Sequence, residues 1–199
     1  NRITIDEIDL TTPGGKYYYG LQLIHEGESL ANRWDNLAHR GMTPEYLGGG
    51  WSFLNNSENQ QYGSILSRWH GASITTGSNG LDDGRFFVAV KTRTNNDGTY
   101  HYEYAVHNVD NSRAGGSFRL PLTSGAILSN LTFGDIDKDP TNDWSIQQTA
   151  SELVFTAPVG SYHEWNTVYN FGFDANVAPS GGQATIDEAR PGPGAAFVS

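Results

Sequence analysis

The stretch Arg85-Phe86-Phe87-Val88-Ala89-Val90-Lys91-Thr92-Arg93-Thr94, then Asn95-Asn96-Asp97-Gly98, then Thr99-Tyr100-His101-Tyr102-Glu103-Tyr104-Ala105-Val106-His107-Asn108 decides the fold. Asn, Asp and Gly tolerate the positive φ of a tight turn, so the two flanking runs read as a β-hairpin. In the second arm Tyr100, Tyr102, Tyr104 and Val106 alternate with His101, Glu103, Ala105 and His107. Period two places these sets on opposite faces, and predicts one packed face and one wet face.

Downstream, further strands are predicted at 117–122, 127–133, 145–149, 152–156, 166–175 and 183–188. In 166–175 Thr167, Tyr169, Phe171 and Phe173 alternate with Asn166, Asn170 and Asp174. Short strands with turn signals roughly every 8 to 12 residues predict an all-β sandwich, immunoglobulin-like or jelly-roll. Upstream, strands are predicted at 3–10 and 17–25, separated by Thr12-Pro13-Gly14-Gly15. A short helix is predicted over 29–41, where Leu30, Trp34, Leu37 and Ala38 recur at helical spacing between a Ser29 cap and Gly41. A weaker one over 62–71 carries Tyr62, Ile65, Leu66 and Trp69, with Gly63 costing about 1 kcal/mol. The expected organisation is an N-terminal extension packed on the sandwich (1–75), the sandwich itself (76–190) and a mobile tail (191–199) that opens with Pro191-Gly192-Pro193-Gly194.

Composition narrows the chemistry. The 199 residues carry a formal charge of −10 on only 17% charged residues, which argues against nucleic acid as partner because phosphate binding needs clustered positive charge. With no cysteine there is no disulfide, thiolate metal site or cysteine nucleophile. The longest apolar runs, such as Phe86-Phe87-Val88-Ala89-Val90, fall far short of the roughly 18 to 20 residues of a membrane-spanning helix. The chain opens at Asn1, which suggests a processed chain or a fragment, with any export signal upstream.

The segment Asp97-Gly98-Thr99-Tyr100-His101-Tyr102-Glu103-Tyr104-Ala105-Val106-His107-Asn108 resembles a hairpin common in immunoglobulin-like sandwich modules of secreted bacterial proteins. Residues 102–113, Gly115-Gly116-Ser117-Phe118, Gly134-Asp135-Ile136-Asp137 and Trp165-Asn166-Thr167-Val168-Tyr169-Asn170-Phe171 are similar to the C-terminal part of a family of exported bacterial proteins of unassigned activity. The likeness spans about residues 20–191, with its strong motifs in 85–175. It implies a sandwich fold and export, and supplies no catalytic residues.

The sharpest candidate site is Asp135-Ile136-Asp137-Lys138-Asp139-Pro140-Thr141-Asn142-Asp143. Oxygen ligands at alternate loop positions suit Ca²⁺, and Asp135, Asp137, Asp139, Asn142 and Asp143 are the candidate ligands. Pro140 and Ile146 stand where a helix-loop-helix calcium loop wants Gly and Glu, so an ion would need ligands from elsewhere. The competing reading is an acidic turn whose carboxylates satisfy their own backbone. His101, Glu103 and His107 share a strand face, but His101 and His107 lie about 20 Å apart at ~3.3 Å per residue, too far to share one ion. Catalytic motifs are missing: there is no G-x-S-x-G elbow and no His-Glu-x-x-His helix. Among the tryptophans, Trp51 after three glycines and Trp144 beside the acidic loop are the candidate sugar-stacking platforms.

The expectation is therefore an extracellular or cell-surface β-sandwich, acting as a structural or interaction module that meets another protein, another copy or a surface polysaccharide, with Ca²⁺ as a possible stabiliser. The other reading is a carbohydrate-binding domain or carbohydrate-active enzyme with a groove lined by Trp51 and Trp144. A glycosidase would need a carboxylate pair that nothing in the sequence singles out.

Overall fold

The computed structural model describes residues 5–23, 25, 27–29, 32, 36–80 and 84–199, the side chain of Asn55 excepted. The chain divides into two compact units, Asn1–Arg68 and Trp69–Ser199. Both are built from antiparallel sheet.

The first unit opens with one helical turn, α1 (Glu7–Leu10), where a strand is expected from the sequence. Thr11 closes it by donating its hydroxyl to the Glu7 carbonyl at 3.1 Å. A four-stranded sheet follows, from β1 (Tyr17–Gln22), β2 (Leu37–Tyr46), β3 (Trp51–Asn56) and β4 (Gln61–Tyr62), with β2 central. Residues 37–41 thus form a strand where the spacing predicts helix; Leu30 and Trp34 lie outside the described residues. Pairing overrides the helical pattern: β1 runs in register along Leu37 to Met42, and Leu37, His39 and Gly41 are buried in strict alternation. Gly41 suits the close approach there, since a Cβ would stand 2.8 Å from Ser57 Oγ and 3.0 Å from Glu58 Cβ. The second predicted helix contracts to one 3-10 turn, Ile65–Arg68.

The second unit is the sandwich. One sheet has the order β5 (Ser73–Ser78), β6 (Arg85–Thr94), β7 (Tyr100–Asn108), β12 (Thr167–Ala175), β9 (Leu128–Gly134). The other has the order β10 (Ser145–Gln148), β11 (Glu152–Thr156), β8 (Gly115–Pro121), β13 (Thr185–Glu188), β14 (Phe197–Val198). Side chains at alternate positions of both sheets meet in one core of Phe86, Val106, Phe118, Leu153, Phe155, Tyr169, Phe171 and Ile186 among others. Phe171 lies at its centre, 4.7 Å from the Phe118 ring and 4.9 Å from Phe155. The hairpin's other face is not wet throughout. Glu103 is exposed, but Ala105 and His107 are buried, and Lys91 on the neighbouring strand sets its ammonium 5.1 Å over the Trp69 ring.

One end of the sandwich is closed by a buried polar seam. Asn108, at the end of β7, turns its amide inward: Nδ2 donates to the carbonyls of Asn111 and His163, while Oδ1 accepts the Asn111 N–H. Asn111 in turn donates to Glu188 Oε1 at 2.6 Å and accepts the Arg113 N–H. Gly84 is obligatory beside it, since a Cβ would fall 1.9 Å from Asn111 Nδ2. Arg113 Nη1 stands 2.5 Å from Glu188 Oε2, an ionic contact without hydrogen-bond alignment, and the Glu188 side chain is fully buried. The same guanidinium donates to the carbonyls of Arg190, Pro193 and Ala195. Segment 191–199, with its linker composition, is thereby tied down, and Val198 joins the core.

Removing one partner of a buried ion pair leaves the other charge uncompensated, which costs on the order of 3–5 kcal/mol. Arg113→Met should lower the free energy of unfolding by about that amount in urea denaturation. Arg113→Met combined with Glu188→Leu should recover part of the loss.

Candidate functional site

The acidic loop is the turn that carries the chain from β9 to β10, and its geometry is a ladder of side-chain to backbone hydrogen bonds. Asp135 Oδ1 accepts the Asp137 N–H at 2.9 Å, Asp137 Oδ1 accepts the Asp139 N–H at 2.7 Å, and Asp139 Oδ1 accepts both the N–H and the hydroxyl of Thr141. Asn142 Nδ2 reaches Asp137 Oδ2 at 3.2 Å. Each carboxylate thus stabilises the next peptide in the turn, the role short polar side chains play when they compete with regular structure. Thr141 holds the Asp139 carboxyl below the usual range, whereas partial burial, then the Asp137 and Asp143 charges, push Asp135 up. Among the described residues no three His, Cys, Asp or Glu side chains gather closely enough to hold a metal ion. One polar atom of the loop is left over: Asn142 Oδ1 is buried without a hydrogen-bond partner.

Of the two tryptophans, Trp144 is a core residue. Only 4% of it is exposed, its ring stacks on Phe133 at 5.6 Å, and its Nε1 donates to the Ser161 carbonyl at 2.9 Å. No face of that ring is open to a sugar. Its place follows from the loop, whose turns deliver residue 144 to the start of β10 beneath the aromatic face of β9 and β12. Trp51 lies in the first unit, opposite Tyr46 on the neighbouring strand, with ring centroids 5.6 Å apart in an edge-to-face pair. Its Nε1 donates to Glu7 Oε1 at 3.3 Å, and both rings keep exposed surface.

The histidines are held apart by separate partners. His101 Nδ1 pairs with Asp174 Oδ1 at 2.7 Å, and His107 Nε2 with Asn166 Oδ1 at 3.2 Å. His39, buried in the first unit, contacts the Gly63 carbonyl through Nδ1 and receives the Arg68 Nε–H at Nε2. A bare Nε2 requires the neutral ring, and burial holds the His39 pKa below its ordinary value. His163 is more extreme. It is enclosed between Tyr169, stacked at 4.2 Å, and Phe86, and its Nε2 lies 2.9 Å from the Thr167 carbonyl. Burial takes its pKa down to about 3.

The free strand edges are the remaining candidate, and they carry little signal in the sequence. Ser73–Ser78 reads Ser-Ile-Thr-Thr-Gly-Ser, with only the β-branched residues 74–76 to suggest a strand. It pairs with β6 residue for residue along one side and, among the described residues, has no partner strand on the other. β9, the opposite edge of the same sheet, is distorted by a register shift at Gly172/Asp174, and Asn130 adopts φ 50° while donating to Asp174 Oδ2. The edges of the second sheet are short: β10 has four residues and β14 has two.

Comparison of the chain with known protein families, with curated proteins and with solved structures finds no match.

The histidines give a pH dependence with a definite sign. The unfolded chain takes up a proton at each histidine below about pH 6.5, whereas folded His163 does so only near 3. Its contribution to stability is therefore complete above pH 6.5 and is lost as pH falls towards 3, at up to about 1.4 kcal/mol per pH unit. Urea denaturation at pH 7.5 and pH 5.0 should show a destabilisation of about 2 kcal/mol from this residue, and His163→Gln should flatten that dependence.

Proposed function

We propose that the protein is an extracellular or cell-surface β-sandwich module that works by contact rather than by catalysis, presenting a strand edge to a protein, to another copy or to a surface polymer. The observation that carries this reading is the contrast between β5 and the other edges of the sandwich unit. Natural sheets blunt their edges with charges, proline, bulges or shortness, because an open ladder of N–H and C=O groups pairs with any strand that reaches it. β5 is six residues long, regular, uncharged and free of proline, and all but Gly77 are exposed. The setting rests on the likeness of the 85–175 motifs to exported sandwich modules.

Edge pairing makes a direct prediction. Thr75→Lys and Thr76→Lys should abolish association through β5 while leaving the thermal midpoint within a few degrees. Sedimentation velocity of the full chain from 1 to 100 μM, alone and with candidate surface polymers, is the measurement. Association unchanged in both variants would move the contact surface elsewhere.

Calcium on the acidic loop belongs to the same reading. It is supported by the partnerless Asn142 Oδ1 beside Asp137, and it requires the ion to draw carboxylates away from their backbone partners. An ion at tenfold its dissociation constant stabilises by about 1.4 kcal/mol, or roughly 3–6 °C for a chain of this size. Melting in EGTA and then in excess Ca²⁺ should show that rise, and Asp137→Asn should remove it.

Carbohydrate binding is favoured by one feature, the Tyr46–Trp51 pair, in which Tyr46 is exposed and Trp51 partly buried. With Trp144 in the core, it would rest on the first unit, and polysaccharide retention lost in Trp51→Ala is its test.

A further inference from the structure

The end of the sandwich away from the polar seam is open. There β5, β6, β7 and β12 present their inner faces to residues 177–184, which have no strand structure, because β13 begins only at Thr185. The mismatch leaves a cavity of about 330 Å³ between the sheets. Val88, Val90, Leu120, Leu122, Leu128 and Phe173 are among the side chains around it, and none of its lining residues is charged. On one side Tyr102 and Phe173 stack at 4.8 Å and 10°, with Tyr104 nearly parallel to Phe173 at 6.3 Å. The two tyrosine hydroxyls differ. Tyr102 donates to the Val177 carbonyl, while Tyr104 has no hydrogen bond to any described residue, and burial pushes its phenol up to about 12.

We propose that this cavity is a binding site for a small, neutral, flat aromatic molecule carrying one hydroxyl, with Tyr104 as its hydrogen-bond partner. Size, charge and polarity each constrain the ligand. An apolar cavity of about 150 Å³ accepts benzene, so this one holds a two-ring compound. A lining without charge, in a chain of net charge −10, excludes ions and favours a neutral molecule. Besides its apolar side chains the lining holds Ser73, Thr75, Thr123 and Ser180, so a ligand that displaces water there must keep a polar contact of its own. The aromatic wall supplies offset or edge contacts to a ring, and the Tyr104 hydroxyl supplies the one directional contact. β5 contributes Ser73 and Thr75 to the lining, so of the two edge variants Thr76→Lys is the one that leaves this site unaltered.

The probe is 2-naphthol, with naphthalene as its hydroxyl-free control, added to the full chain and followed by amide chemical shifts. Saturable shifts are expected at residues 88–90, 102–104, 120–123 and 177–184, with a dissociation constant on the order of 0.1–1 mM. Tyr104→Phe keeps the ring and should weaken 2-naphthol about fivefold while leaving naphthalene unchanged. Ala184→Phe fills the cavity and should abolish both. No saturable shift at these residues in the wild-type chain, or an equal loss of both probes in Tyr104→Phe, overturns the proposal.

Discussion

The sandwich depends on the buried pair of Arg113 and Glu188 and on the amides of Asn108 and Asn111 beside it. These groups stand where four segments meet: the end of β7, the turn into β8, the loop around His163, and the return through β13 to the C-terminal residues. No regular ladder could satisfy all the backbone groups that crowd there. Side chains do so instead, and so many directed contacts between distant segments favour one arrangement of the chain. Without cysteine, it is also what holds the C-terminal segment. Three carbonyls of 190–195 converge on one guanidinium, and Val198 enters the core because Arg113 fixes the path before it.

The part of the fold that follows period two was legible in the sequence. The Arg85–Thr94 and Tyr100–Asn108 hairpin and the Thr167–Ala175 strand pair throughout as their alternation requires, and their aromatic residues fill the core. Of the helix expected over 29–41, residues 37–41 form strand instead, because Leu37 and Ala38 fit either period and the long-range partner β1 decided between them. Gly41 read as a helix stop; in the sheet it serves as a close approach to the 57–58 segment. The seam was invisible for a different reason. Asn108, Asn111, Arg113 and Glu188 look like ordinary turn and surface residues, and only the meeting of segments up to 82 positions apart gives them a common role.

The same limit applies to the candidate sites. Three aspartates at alternating positions, 135, 137 and 139, are as well suited to capping successive turns as to holding a cation, and composition does not say which groups the carboxylates face. Trp144 beside them reads as a surface ring by sequence position, yet the turns that use those carboxylates carry it inward to Phe133. A solvated loop and a buried indole are therefore one device: the aspartates fix the bend that places the indole.

Sealing one end of the sandwich leaves the other with too little chain. Residues 189–196 are spent on the seam, where Ala189 and Arg190 donate their N–H groups to the Ala114 and Arg113 carbonyls. β14 is reduced to two residues, and β13 cannot extend back beyond Thr185 because 177–184 must first cross from β12 to the opposite sheet. The inner faces of β5 and β6 are consequently under-covered, and the edge beyond them stays unblunted. Widening the second sheet at this end would bury Val88, Val90 and Tyr104 and add stability, at about 25 cal/mol for each Å² of apolar surface covered. The sandwich is thus least completely packed where the cleft and the β5 edge lie, and most densely hydrogen-bonded at the opposite end.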